Sequence, residues 1–192
     1  MPLQLDATSP WAFVVIAASI AGSAVFPPLP SEGMLATAMS LAAAGRLPLA
    51  WVCVSTTAGA VLGDLAAYTL GRALSRPGHA RAAGSARLRT ALAWLHAREH
   101  TWGPGMIVTG RFVPGGTTAV GISAGLLRFP PRRYLLFSSI GAALWTGYGV
   151  AVGIVGNAVF PDNPLAGAAA AVGLALAIGA GVQWLSRTRH RE

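Results

Sequence analysis

Four apolar blocks, at 11–44, 48–70, 103–127 and 134–185, make up most of the chain, and two of them contain residues that no continuous helix tolerates. In "FPPLPSEG", Phe26 to Gly33, three prolines and a carboxylate interrupt a stretch that carries no other charge from Trp11 to Ala44. A spanning helix needs about 20 apolar residues, so 48–70 reads as one crossing. Block 134–185 is too long for one and is divided by "FPDNP", which predicts helices over 134–158 and 165–185. Block 11–44 is cut by Pro27, Pro28 and Pro30, and block 103–127 by "VPGGTT", Val113 to Thr118. Proline removes a backbone donor and clashes with the preceding turn, and paired glycines loosen the chain further. An unsatisfied backbone group in hydrocarbon costs several kcal/mol, so such breaks survive only when buried in protein or lining a wet cavity. Each of these two blocks therefore reads as a re-entrant hairpin.

Composition supports a membrane protein. Only 10% of the residues are charged and 54% are hydrophobic, whereas a soluble domain carries about a quarter charged residues. The net charge of +8 would suit nucleic acid, but the arginines cluster at 72–98, 128–133 and 187–191. Those positions lie between or after apolar blocks, as cytoplasmic loops do, and no soluble domain carries them. No nucleic-acid partner is expected. Cys53 is the single cysteine, which excludes an intrachain disulfide. The segment "MPLQLDATSP" lacks a basic n-region, so no cleavable signal is expected.

The expected architecture is an all-α polytopic domain over 1–192, multi-pass in the plasma (inner) membrane. It consists of hairpin 11–44, span 48–70, hairpin 103–127, spans 134–158 and 165–185, and a basic tail 186–192. With Arg72 to Arg98 cytoplasmic, the second hairpin enters from inside and the first from outside; Arg46 is the residue that fits this least well. Two hairpin-plus-helix units of opposite orientation form an inverted repeat, whose tips would meet near the midplane. A reading in which 11–26 crosses fully, giving four spans, stays open. Residues 84–100 place Leu88, Leu92 and Leu95 at helical spacing among arginines, as an interfacial amphipathic helix would; an ordinary connector has the same pattern.

Glu32, Asp64 and Arg111 are the charges in or beside the apolar blocks. A charge at the centre of a helix in lipid costs about 2.5–3.5 kcal/mol on insertion scales, so such residues face an interior and pair. Glu32 at the first tip and Arg111 before the second are expected to pair, and Asp64 to pair with Arg72 or Arg111. A planar guanidinium suits phosphate, and the backbone N–H groups around Gly115, Gly116, Thr117 and Thr118 could add anion donors. A structural ion pair stapling two hairpins is the alternative.

"PPLPSEGMLATAMSLAAAGRL", "GAVLGDLAAYTLGR" and "GRFVPGGTTAVGISAGLLRFPPRRYLLFSSIGAALW" together resemble the DedA family of VTT-domain membrane proteins over about residues 25–150. The resemblance implies two opposed re-entrant hairpins and translocation of a phosphate-bearing lipid. In bacteria that lipid is undecaprenyl phosphate, moved across the plasma membrane, and in eukaryotic relatives phospholipids are scrambled. It also implies a link to proton-motive force. The family's tip carboxylate falls on Glu32, its Gly-Asp aspartate on Asp64 and its first tip arginine on Arg111. Thr117 stands where many members have a second arginine, and Ile16–Val25 lacks the upstream glutamate of some. Both departures bear on headgroup affinity and proton coupling.

"GISAG", Gly121–Gly125, matches a nucleophile elbow, and Asp162 and His190 follow Ser123 in triad order. The elbow requires a strand-to-helix turn, while these letters also form a small-xxx-small packing face, like Gly59/Gly63 and Gly149/Gly153. "HAREH", His96–His100, matches a zinc pattern but lacks a third ligand. A transporter that is not an enzyme and needs no metal or cofactor is therefore expected. An intramembrane lipid-modifying enzyme and a non-transporting membrane-homeostasis factor are the alternatives. A homo-oligomer is compatible with the sequence and not required by it.

Overall fold

The computed structural model describes residues 10–25, 31–75, 104–112 and 115–160, together with 163, 166, 167, 169 and 173. The expected amphipathic helix 84–100, the histidines of "HAREH", Asp162, His190, most of helix 165–185 and the tail 186–192 lie outside them. The described residues are helical, with no strand among them. In chain order they form α1 (Pro10–Val25), α2 (Ser31–Ala43), α3 (Leu49–Leu74), α4 (Pro104–Thr109), a 3-10 turn (Gly110–Phe112), α5 (Gly116–Leu126) and α6 (Pro131–Val159).

Only α3 and α6, of 26 and 29 residues, are long and apolar enough among these to cross a membrane. At 1.5 Å per residue they measure about 39 and 43 Å, against a hydrocarbon core of about 30 Å. The span read over 48–70 thus runs four residues further, through Arg72. Block 11–44 is helical on both sides of 26–30, and Glu32 is the second residue of α2 rather than part of the break. Block 103–127 is helical on both sides of 113–115. The turn after α6 closes on Asn163, whose Oδ1 accepts from the backbone N–H of Ala166 at 3.1 Å.

The two long helices run antiparallel. Thr57 meets Thr146 at 3.0 Å, Ser138 meets Asp64 at 2.5 Å, and the Tyr134 hydroxyl reaches the Asp64 carbonyl at 3.1 Å. Each shorter helix lies along one half of a long one. Gly59 and Gly63 of α3 receive Ala17, Ala21 and Ala24 of α1, while Gly71 receives Ile122 of α5. Gly141 of α6 receives Val108 of α4, while Gly149 and Gly153 receive Leu35 and Met39 of α2. Residue numbers rise together in each crossing, as they also do from Gly121 against Ala67 to Gly125 against Gly71 and from Val108 against Gly141 to Phe112 against Tyr148, so each short helix is parallel to its long neighbour. Because α1 is parallel to α3, both begin on the same side of the bundle.

The same local design appears twice among the described residues. Helices α2 and α5 end alike, each with an i+5 backbone bond (Arg46 to Leu41, Phe129 to Ala124) beside an i+3 bond (Gly45 to Ala42, Arg128 to Gly125). This is the Schellman stop, with Gly45 and Arg128 in the left-handed region at φ +71° and +55°. Pro48 and Pro130 then cap the long helices; a proline at a helix start gives up a donor that has no partner there anyway.

The polarity of the bundle is inverted relative to a soluble protein. Ser40, Ser55, Thr56, Asp64, Arg111, Ser138 and Thr146 are buried, whereas Trp51, Leu62, Leu136, Leu144 and Val155 are more than half exposed. Soluble monomers rarely expose continuous apolar surface; hydrocarbon is the solvent that suits this one. The apolar core gathers Ile16, Ile20, Leu35, Met39, Val52 and Trp145, with a second cluster at Tyr68, Ala124 and Tyr134.

Candidate functional site

The sequence Gly63-Asp64-x-x-x-Tyr68-x-x-Gly71-Arg72 places its named residues on one face of α3, and each has a separate task. Gly63 admits α1: a methyl there would come within 2.7 Å of the Ala24 Cβ. Gly71 admits the α5 backbone at Ile122. Tyr68 stacks on Tyr134 with ring centroids 4.7 Å apart and donates to the Phe129 carbonyl at 2.6 Å. Arg72 donates to the Tyr68 hydroxyl at 3.3 Å.

Asp64 is 3% exposed and forms an ion pair with Arg111, which is 9% exposed. Of the two partners expected for Asp64, the structure selects Arg111. Helix α4 and the 3-10 turn that carries Arg111 lie against α6, where Gly141 leaves room: a methyl on Gly141 would meet the Val108 Cα at 3.3 Å and Arg111 Nε at 3.8 Å. The Trp145 ring centroid lies 5.7 Å from the guanidinium carbon, close enough for a cation–π contact. Ser138 donates to Asp64 Oδ2 at 2.5 Å, the same oxygen that Arg111 Nη2 reaches. Asp64 Oδ1 is buried and has no partner among the described residues.

The pair lies near the point where the last turn of α1 meets the first turn of α5. Thr118, in the first turn of α5, donates its hydroxyl to the Ala24 carbonyl in the last turn of α1 at 2.7 Å. Gly115 takes φ +71° as the N-cap of α5, and the first helical bond there runs from Ala119 to the Gly115 carbonyl. The N–H groups of Gly116, Thr117 and Thr118 thus belong to the unbonded first turn of a helix. Thr117 and Thr118 are half-buried and Gly115 is exposed. The expected Glu32–Arg111 pair involves a side chain outside the described residues.

Sequence reasoning missed Ser138, Tyr134 and Trp145. With Gly141 they recur at steps of three and four along α6, a stripe of polar, small and aromatic residues on a helix whose other faces carry Leu135, Leu136, Ile140 and Leu144. That stripe was the available signal. Ser123 is buried within α5, not on a strand-to-helix turn, and its neighbours Gly121 and Gly125 lie against α3. Among the described residues no cluster of His, Cys, Asp and Glu could hold a metal.

The VTT domain model matches residues 29–155, a segment containing Glu32, Asp64, Arg111, Thr118 and Ser138. An uncharacterized membrane protein of Synechocystis sp. is 31% identical over 128 residues, 65% of this chain and 58% of that protein. An uncharacterized membrane protein of Mycobacterium leprae is 31% identical over 138 residues, 71% of this chain and 62% of that protein. The matches thus span about three fifths of the length of these curated relatives. No solved structure matches the chain significantly. The domain match covers well over half of the chain and includes the α3, α4–α5 and α6 residues that build the buried pair, and the chain belongs to the DedA family of VTT-domain membrane proteins.

Proposed function

We propose that this protein is a multi-pass transporter of the plasma (inner) membrane that moves a phosphate-bearing lipid across the bilayer, and that it is not an enzyme. The α1–α2 and α4–α5 pairs act as re-entrant hairpins entering from opposite sides. The observation that carries this reading is the buried Asp64–Arg111 pair beside the point where Thr118 joins the start of α5 to the end of α1. An ionised pair in a bundle surrounded by hydrocarbon is costly to maintain, and intramembrane charges mark polar pathways. Arg111 offers a fork matched to phosphate, and the unbonded first turn of α5 adds N–H donors and a positive dipole end.

Undecaprenyl phosphate and a phospholipid both fit this chemistry, and the family resemblance favours the former. Proton coupling rests on the same resemblance. Proteoliposomes carrying either lipid, assayed for headgroup accessibility from outside, test the function. Translocation that depends on Arg111 is expected; liposomes in which neither lipid moves would overturn the reading.

A further inference from the structure

Ser138 contributes the feature of the site that an ion pair alone does not require. Arginine and carboxylate side chains frequently pair side-on, with two parallel N–H···O bonds, one to each oxygen. Here Nη2 of Arg111 and the hydroxyl of Ser138 converge on the same oxygen, Oδ2, and Oδ1 is left buried with no partner among the described residues. Ser138 is 1% exposed, and the Tyr134 hydroxyl one turn earlier fixes the Asp64 backbone at 3.1 Å. The carboxylate therefore meets the guanidinium through one oxygen only, an end-on contact in that sense, although a bare buried oxygen costs free energy that a second bond to Arg111 would recover.

We infer that Ser138 is a positioning residue that prevents Asp64 from capturing Arg111 side-on and so reserves the other guanidinium donors for the phosphate of the transported lipid. The inference rests on the transport reading above and adds a residue to it. End-on pairing stabilises Arg111 while the site is empty and leaves it available to a second anion. Side-on pairing would satisfy Arg111 internally and make the incoming phosphate compete for both donors. Removing the Ser138 hydroxyl releases Oδ2, lets the carboxylate turn, and shifts that competition toward Asp64.

The test is binding of dodecyl phosphate to the detergent-solubilised full chain, followed by transport at varied lipid content in proteoliposomes. Ser138→Ala and Ser138→Cys are expected to weaken dodecyl phosphate binding about tenfold, raising KM with kcat little changed. Ser138→Thr, which keeps the hydroxyl, should bind within twofold of the wild type. Ser138→Cys fills the same volume, so it separates loss of the hydroxyl from a packing defect. Wild-type binding that survives undiminished in both the Ala and Cys variants overturns the role of Ser138 and leaves the transport reading intact. A wild-type chain that neither binds dodecyl phosphate nor moves a phosphate lipid overturns both.

Discussion

Thr118 and Ala24 are 94 residues apart in sequence, yet the Thr118 hydroxyl donates to the Ala24 carbonyl at 2.7 Å and ties the start of α5 to the end of α1. The carbonyl is one that a helix end leaves without an intrahelical partner. Thr118→Val removes the donor at nearly constant volume and is expected to destabilise the protein by about 1 kcal/mol, with Thr118→Ser largely neutral. Thermal unfolding in detergent measures this. Transport should fall in the Val variant by more than the loss of folded protein, because the bond sets how the first turn of α5 meets the end of α1.

The Asp64–Arg111 pair supplies a double-mutant test. Arg111→Ala leaves a buried carboxylate without its cation and is expected to cost about 3–5 kcal/mol. Asp64→Asn combined with Arg111→Gln should recover most of that loss, because neither charge then remains buried. Transport should stay absent in the neutral pair if Arg111 binds the headgroup. The swap Asp64→Arg with Arg111→Asp discriminates further: full transport from the swapped protein would show that the pair only staples helices. Chemical denaturation and the accessibility assay, run on the same preparations, separate the two roles.

Glycine contacts predict which helix crossings tolerate no side chain. A methyl on Gly71 would collide with the Ile122 backbone, and one on Gly153 with the Met39 backbone, whereas Gly147 has open space around it. Because the obstructing atoms are backbone, the helices must separate, at about 1–3 kcal/mol for each overpacked site. Gly71→Ala and Gly153→Ala should lower the yield of folded protein. Gly147→Ala should be neutral or stabilising by up to about 1 kcal/mol. Similar losses at Gly71 and Gly153 are expected, since the two residues occupy equivalent places in the repeat.

Much of this architecture was legible because lipid leaves the backbone few choices. Long charge-free blocks must be helices, and prolines at Pro27, Pro28 and Pro30 must break them. The two buried charges, Asp64 and Arg111, were visible for the same reason: an ionised residue in or beside an apolar block stands out. Which charges meet was less legible, because Asp64 and Arg111 lie on different elements and nothing local relates them. Glu32 looked like part of the break, yet Ser31 and Glu32 already belong to α2, since a proline at a helix start does not oppose the helix that follows. Ser138 was missed because an isolated serine in a spanning helix bonds its own backbone as readily as a distant partner, as Ser55 does with the Trp51 carbonyl.

The two Schellman stops make the last prediction, because the repeat fills equivalent positions with different residues. Gly45 ends α2 at φ +71°, and Arg128 ends α5 at φ +55°. Glycine enters the left-handed region without steric cost, whereas an L side chain there brings Cβ close to the following carbonyl at about 1–2 kcal/mol. Gly45→Ala is therefore expected to destabilise by about 1 kcal/mol, although nothing lies within 4 Å of a methyl at that position. Arg128→Gly relieves the same strain but gives up chain stiffness in the unfolded state, a term of about 0.4–1 kcal/mol in the opposite direction. The expected net gain is therefore a few tenths of a kcal/mol. Removing this arginine from the loop before α6 also weakens the positive-inside signal on that side. Impermeant maleimide labelling of Arg46→Cys and Arg132→Cys, each in a Cys53→Ser background, reads the orientation with and without Arg128→Gly. Arg46→Cys should label from outside and Arg132→Cys from the cytoplasm in both cases, because Arg132 and Arg133 remain. Labelling of both sites from one face would contradict the antiparallel crossing of α3 and α6.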